Sequence, residues 1–171
     1  MIIKHVVACA LADNTGRVLI NQRPVGKDFE GYWEFPGGKI EEGETPESAI
    51  IRELKEELNI DVSNECIAPI GFSSYDYEKF HVVLMLFVTR KWSGHPIPLE
   101  GNKLKWVSYN ELKKHNCDNF CQALHHHLNK VSYKLSYKTL TLYRSLQYAL
   151  SHQKYFDLSH LKHLLPFHHL K

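Results

Sequence analysis

Residues 37–60 read GGKIEEGETPESAIIRELKEELNI. Thr45 is a side-chain N-cap in front of Pro46, a residue suited to the first helical position. Ile50, Leu54 and Leu58 then recur at every fourth residue as one apolar stripe, which predicts a helix over 45–58. Asn59 follows, able to take the left-handed C-terminal position that glycine usually fills. Glu53, Glu56 and Glu57 share one and a half turns of this helix. Side chains three and four apart on a helix are neighbours, roughly 5–6 Å apart at Cβ, and like charges there repel. One reading is a solvated face softened by Arg52 and Lys55. The other is a cation among the carboxylates, and Gly37-Gly38 favours it, because a backbone without side chains can approach a ligand closely. Carboxylate oxygens are hard ligands suited to Mg²⁺ or Mn²⁺. No His or Cys lies among them to favour zinc. Helix, glycine turn and acids together predict a site for a metal-bound, phosphate-bearing substrate.

Strand signals flank this unit. Those at 2–11 and 17–21 are joined by the turn Asp13-Asn14-Thr15-Gly16, which predicts a first β-hairpin. A loop with Pro24, Gly26 and Gly31 leads into the short aromatic strand Tyr32-Trp33-Glu34-Phe35, broken by Pro36-Gly37-Gly38. Residues 67–75, 81–91 and 103–107 read as further strands, with the run 82–88 apolar enough to be buried on both faces. Ser108 caps a short helix over 109–114. The expected class is α/β (α+β), a mixed β-sheet sandwiched between helices around one core, with a helical C-terminal extension.

Composition narrows the classes. The chain has 171 residues, 43% apolar and 23% charged, the profile of a globular protein able to bury its own core. No apolar run reaches the ~20 residues of a membrane-spanning helix, so no membrane partner is expected. Four cysteines, Cys9, Cys66, Cys117 and Cys121, match no disulfide framework, and a reducing cytoplasm is the expected location. The net charge of +2 is unevenly spread: residues 1–129 carry 14 basic and 18 acidic side chains, residues 130–171 seven basic and one acidic. Leucine stripes in the basic tail favour packing on the body or on a second copy over nucleic-acid binding. The expected division is a catalytic domain over 1–129 and a basic, His- and Leu-rich helical tail over 130–171, in a monomer or weak dimer. Cys117, Cys121 and His125 fall at helical spacing, but one stripe from a single helix does not enclose a zinc ion.

The stretch carries a resemblance. Gly38, five residues, Glu44, seven residues, then Arg52-Glu53-Leu54-Lys55-Glu56-Glu57-Leu58-Asn59-Ile60 is similar to the Nudix box, departing from it only at Asn59, where the family has Gly. The resemblance implies the Nudix fold and hydrolysis of a nucleoside diphosphate linked to another moiety. Trp33-Glu34-Phe35-Pro36-Gly37-Gly38-Lys39 resembles the MutT branch, whose members hydrolyse 8-oxo-dGTP to its monophosphate and pyrophosphate. By that resemblance the metal ligands are Glu53, Glu56, Glu57, Glu100 and the Gly37 carbonyl. Glu53 is the first candidate for general base and Glu100 the second. Arg23, Glu34, Phe35, Pro36, Gly37 and Gly38 are expected to meet the nucleotide, with Phe35 beside the base. Arg52 is expected to orient a Glu, and Glu44 to serve structure at the helix start. The likeness covers about 1–113. Beyond it, the family's base-reading Asn or Asp has Asp118 and Asn119 as its candidates here. Ordinary dNTPs, 5′-triphosphate RNA or ADP-ribose are alternative substrates, and a Nudix-derived nucleic-acid-binding regulator is the alternative class.

Overall fold

The computed structural model describes residues 1–112, 114 and 115. The chain runs β1 (Ile3–Leu11), β2 (Val18–Gln22), β3 (Trp33–Glu34), β4 (Gly37–Lys39), α1 (Pro46–Leu58), β5 (Ile67–Asp76), β6 (His81–Thr89), β7 (Lys103–Val107) and the short α2 (Tyr109–Leu112). The class is α+β. The mixed β-structure divides into two sheets, β4-β1-β6-β5 and β3-β2-β7. In the first, β1 runs parallel to β6 and antiparallel to β4.

The predicted first hairpin is corrected. The turn forms, with the Asp13 N–H donating to the Arg17 carbonyl at 2.9 Å. Yet β1 and β2 share only the isolated bridge Ala12↔Val18 before separating into different sheets. The cause is burial: the second half of β1 is buried at every residue. A strand covered on both faces takes a central place between two neighbours, here β4 and β6.

The break at Pro36-Gly37-Gly38 is likewise more than a turn. Trp33–Glu34 belongs to one sheet and Gly37–Lys39 to the other, so Phe35 and Pro36 carry the chain across. The Pro36 carbonyl accepts from the Cys9 N–H at 2.8 Å. Helix α1 has the expected ends: the Thr45 side chain accepts from the Ser48 N–H, and Asn59 is left-handed at φ 54°. Its stripe Ile50, Leu54 and Leu58 packs in one cluster with Val7, Leu11, Leu19 and Phe87. The helix thereby brings its acidic face to the crossing point of the two sheets. Cys9, buried in that cluster, has its thiol pushed far above the ordinary value by desolvation, so it is an inert core residue.

Candidate active site

The two glycines of β4 do different work. A Cβ on Gly37, at φ +154°, would lie 2.1 Å from the Val7 carbonyl oxygen. Gly37 is therefore required by the approach of β4 to β1. A Cβ on Gly38 would lie 2.2 Å from Glu53 Oε1, so the missing side chain of Gly38 is the space that the Glu53 carboxylate fills. Glu57 is placed by the same strand, its Oε2 accepting from the Gly37 N–H at 3.1 Å. The acids of α1 and the glycines of β4 thus line one cavity of about 680 Å³ together with Arg23, Lys27, Glu34 and Glu100.

Arg52 organises the acids. Its Nε and Nη2 donate to the two Glu44 oxygens at 3.0 and 2.9 Å, a bidentate pair of the strong kind. Its Nη1 donates to Glu53 at 2.9 Å and Glu56 at 3.0 Å, and Nη2 also reaches the Lys39 carbonyl. The hydrogen bonds from Arg52 hold the Glu44 carboxyl below its ordinary range, consistent with a structural role for that residue.

Glu57 differs from its neighbours. It is 9% exposed, and desolvation pushes its carboxyl up to about 8 against the opposing Gly37 N–H, with Glu34, Glu53 and Glu100 adding like-charge repulsion. Burial also raises Glu53, against the pull of Arg52. A buried carboxylate surrounded by others is a group whose charged form calls for a cation. The donor set, all oxygen, fits a hard divalent ion. The acids are nevertheless spread around the cavity wall: among the described residues no three Asp, Glu, His or Cys side chains converge on one point. Glu53 and Glu56 lie against Arg52, while Glu100 pairs with Lys27 at 2.7 Å.

The nucleotide-binding candidates are less uniform. Arg23 and Glu34 line the cavity but hold each other at 2.7 Å, and Arg23 also donates to the Asp28 carbonyl. Phe35 lines the wall from within the core at 4% exposure. Pro36 is buried and lies outside the cavity lining, and its carbonyl serves β1. Asp118 and Asn119, the cysteines at 117 and 121 and the whole tail over 130–171 lie outside the described residues. Polar lining residues missed from sequence include Lys27, Asn21 and Asn102. Asn21 was discernible as the polar residue at a core-facing step of an apolar strand, two after Leu19. Lys27 sits in a loop, where no periodicity marks it, and Asn102 directly precedes β7.

A model of the NUDIX domain matches residues 3–124. The chain belongs to the Nudix family. The matched span of this Nudix chain takes in Asp118 and Asn119 as well as the cavity. The 8-oxo-dGTP diphosphatase of Proteus vulgaris is 38% identical over 98 residues, 57% of this chain and 86% of that protein. The 8-oxo-dGTP diphosphatase of Escherichia coli K12 is 34% identical over 118 residues, 66% of this chain and 84% of that protein. The solution structure of the E. coli ORF135 protein matches this Nudix chain with a TM-score of 0.70 at 25% identity, covering 80% of this chain and 96% of that one. Among the described residues no helix is long and apolar enough to cross a membrane.

Proposed function

We propose that this Nudix chain is a Mg²⁺-dependent nucleoside triphosphate pyrophosphohydrolase that converts 8-oxo-dGTP to 8-oxo-dGMP and pyrophosphate. In a cytoplasmic setting this removes an oxidised precursor before replication can use it. The observation that carries the reading is the fit of α1 to β4: Glu57 buried on the Gly37 N–H, and Glu53 seated in the space over Gly38. The relatives named 8-oxo-dGTP diphosphatase support the substrate.

The chemistry follows from charge. A triphosphate resists hydrolysis because its oxygens repel nucleophiles, so a catalyst neutralises that charge and aligns water. Glu53, Glu56, Glu57, Glu100 and the Gly37 carbonyl are the groups that would hold Mg²⁺, with Mn²⁺ as a substitute. A divalent ion there supplies charge neutralisation and a lowered pKa for water. Arg52 keeps Glu53 and Glu56 oriented on the cavity side of α1. Glu53 takes the proton of the attacking water, and Glu100 is the second candidate for that base. Water adds at the β-phosphorus, and the bond from that phosphorus to the oxygen shared with the α-phosphate breaks. The shared oxygen stays with the nucleoside monophosphate, and pyrophosphate leaves. Arg23 and Glu34, one charge-balanced pair at the rim, meet the nucleotide, and Asp118 or Asn119 reads the base.

Two measurements test this. A nucleotide panel with Mg²⁺ should rank kcat/KM for 8-oxo-dGTP above that for dGTP, dCTP and ADP-ribose. Hydrolysis in ¹⁸O-water should place the label in pyrophosphate. Orthophosphate as the sole phosphate product, or label in the monophosphate, would overturn attack at the β-phosphorus.

A further inference from the structure

Two buried amides, one on β2 and one directly before β7, each carry an oxygen without a hydrogen-bond partner. Asn21 is 2% exposed and Asn102 7%. Both line the carboxylate cavity, and the unpartnered atom of each is Oδ1. Buried acceptors are almost always paired, because leaving one unmade costs folding free energy. Their positions are those of core residues. Asn21 stands two after buried Leu19 on β2 and opposite Leu104 on β7. Asn102 continues the alternation in which Leu104 and Trp106 are sheltered while Lys103 and Lys105 are exposed. Leu19, Leu104 and Trp106 pack with the core, so apolar residues at 21 and 102 would extend that packing. Asn102 directly precedes β7, whose register sets Asn21 opposite Leu104, two residues further on.

The chemistry of the missing partner can be read from its surroundings. Asn21 Nδ2 points to Glu57 Oε2 at 3.5 Å, and Glu34 stands opposite Asn21 on β3. Phosphate oxygens, and carboxylates kept ionised by a cation, accept hydrogen bonds and donate none. A nucleotide's phosphate chain therefore leaves both amide oxygens unsatisfied. Of the two lining lysines, Lys27 is held by Glu100 and Lys39 lies on β4, in the other sheet. Water supplies what is needed: two O–H donors, one for an amide oxygen and one for a carboxylate, with lone pairs left facing the cavity.

We propose that Asn21 and Asn102 are positioning residues that hold ordered water beside Glu57 and direct it at the phosphate chain. The kinetic part of this rests on the pyrophosphohydrolase reading; the water site does not. A high-resolution crystal structure of the wild-type chain should show water within hydrogen-bond distance of Asn21 Oδ1 and Asn102 Oδ1. Asn21→Leu and Asn102→Leu should lose that water and keep or raise the melting temperature. Their kcat should fall roughly 100-fold, as misplacing a reacting group does, with KM for the nucleotide nearly unchanged. Asn102→Asp, which keeps the acceptor and the shape, should recover most of kcat. Either amide oxygen paired to a protein N–H, or Lys27 on Asn102, would overturn the water site. Unchanged kcat in the folded Leu variants, or a loss of kcat matched by lost stability, would overturn the positioning role. A wild-type chain inactive on every nucleotide overturns the functional reading and the positioning role with it, while the crystal still judges the water site.

Discussion

Glu57 combines burial, a single strong backbone donor and three acidic neighbours, and these make its titration a property of the whole protein. Unfolded, its carboxyl ionises near the ordinary value of 4.5; folded, the value is about 8. Metal-free protein should therefore be most stable, as far as this group is concerned, below about pH 4.5, and should lose stability as the pH rises towards 8, because only the unfolded chain releases the proton. Across that window the loss is roughly 4–5 kcal/mol at 1.36 kcal/mol per unit. Denaturant melts of metal-free wild type and Glu57→Gln should show a steep decline for the former and a flat response for the latter. Added Mg²⁺ should restore the wild type at pH 8 but not the variant. A companion comparison concerns turnover. Glu53→Gln and Glu57→Gln should lower kcat by orders of magnitude, since charge stabilisation and positioning carry phosphoryl transfer. Glu47→Gln, in the first turn of the same helix, should cost at most about 1 kcal/mol of helix-dipole stabilisation and leave kcat intact. Steady-state kinetics on variants with matching melts decides it; near-normal kcat in Glu53→Gln and Glu57→Gln would move the catalytic site elsewhere.

The site is made by one short strand against one helix. Strand β4 is three residues long, and its two glycines face different neighbours. Gly37→Ala drives a methyl group into the backbone of β1 and should destabilise the protein by roughly 3 kcal/mol or more. Gly38→Ala meets only the end of the Glu53 side chain, which can swing away, so the fold should survive. The displaced carboxylate should cost kcat on the order of 100-fold. Thermal melts and kcat on the two variants should separate cleanly: stability lost in the first, turnover lost in the second. Equal melts for both would contradict the close approach of β4 to β1. The helix itself was legible from sequence, because Thr45, Pro46 and Asn59 act through local hydrogen bonds and local dihedrals. That β4 is a strand was not. Two glycines after a proline carry every local signal of a turn, and only pairing with β1, some 30 residues upstream, makes them extended.

Across the whole molecule, every metal-ligand and general-base candidate lies on 1–112, and the nucleotide-reading candidates Asp118 and Asn119 also precede the basic segment. A chain ended after residue 129 should therefore fold and keep Mg²⁺-dependent turnover. Its losses should appear in solubility or self-association, measured by light scattering beside kcat. A folded truncated chain without turnover would place part of the site in 130–171. The sequence by itself determined the family, the capped helix and its three acids, and the positions of most strands. All of these rest on spacing within a few residues of one another or on a long fixed motif. Tertiary structure decided the rest: the division into two sheets, the strand made of Gly37–Lys39, the burial of Phe35 and Pro36, and the inward-facing Asn21 and Asn102. It also decided the Lys27–Glu100 pair, 73 residues apart in sequence. The physical reason is that these features depend on which strands become neighbours. That choice is made by burying the apolar second half of β1 on both faces, and no local propensity records it.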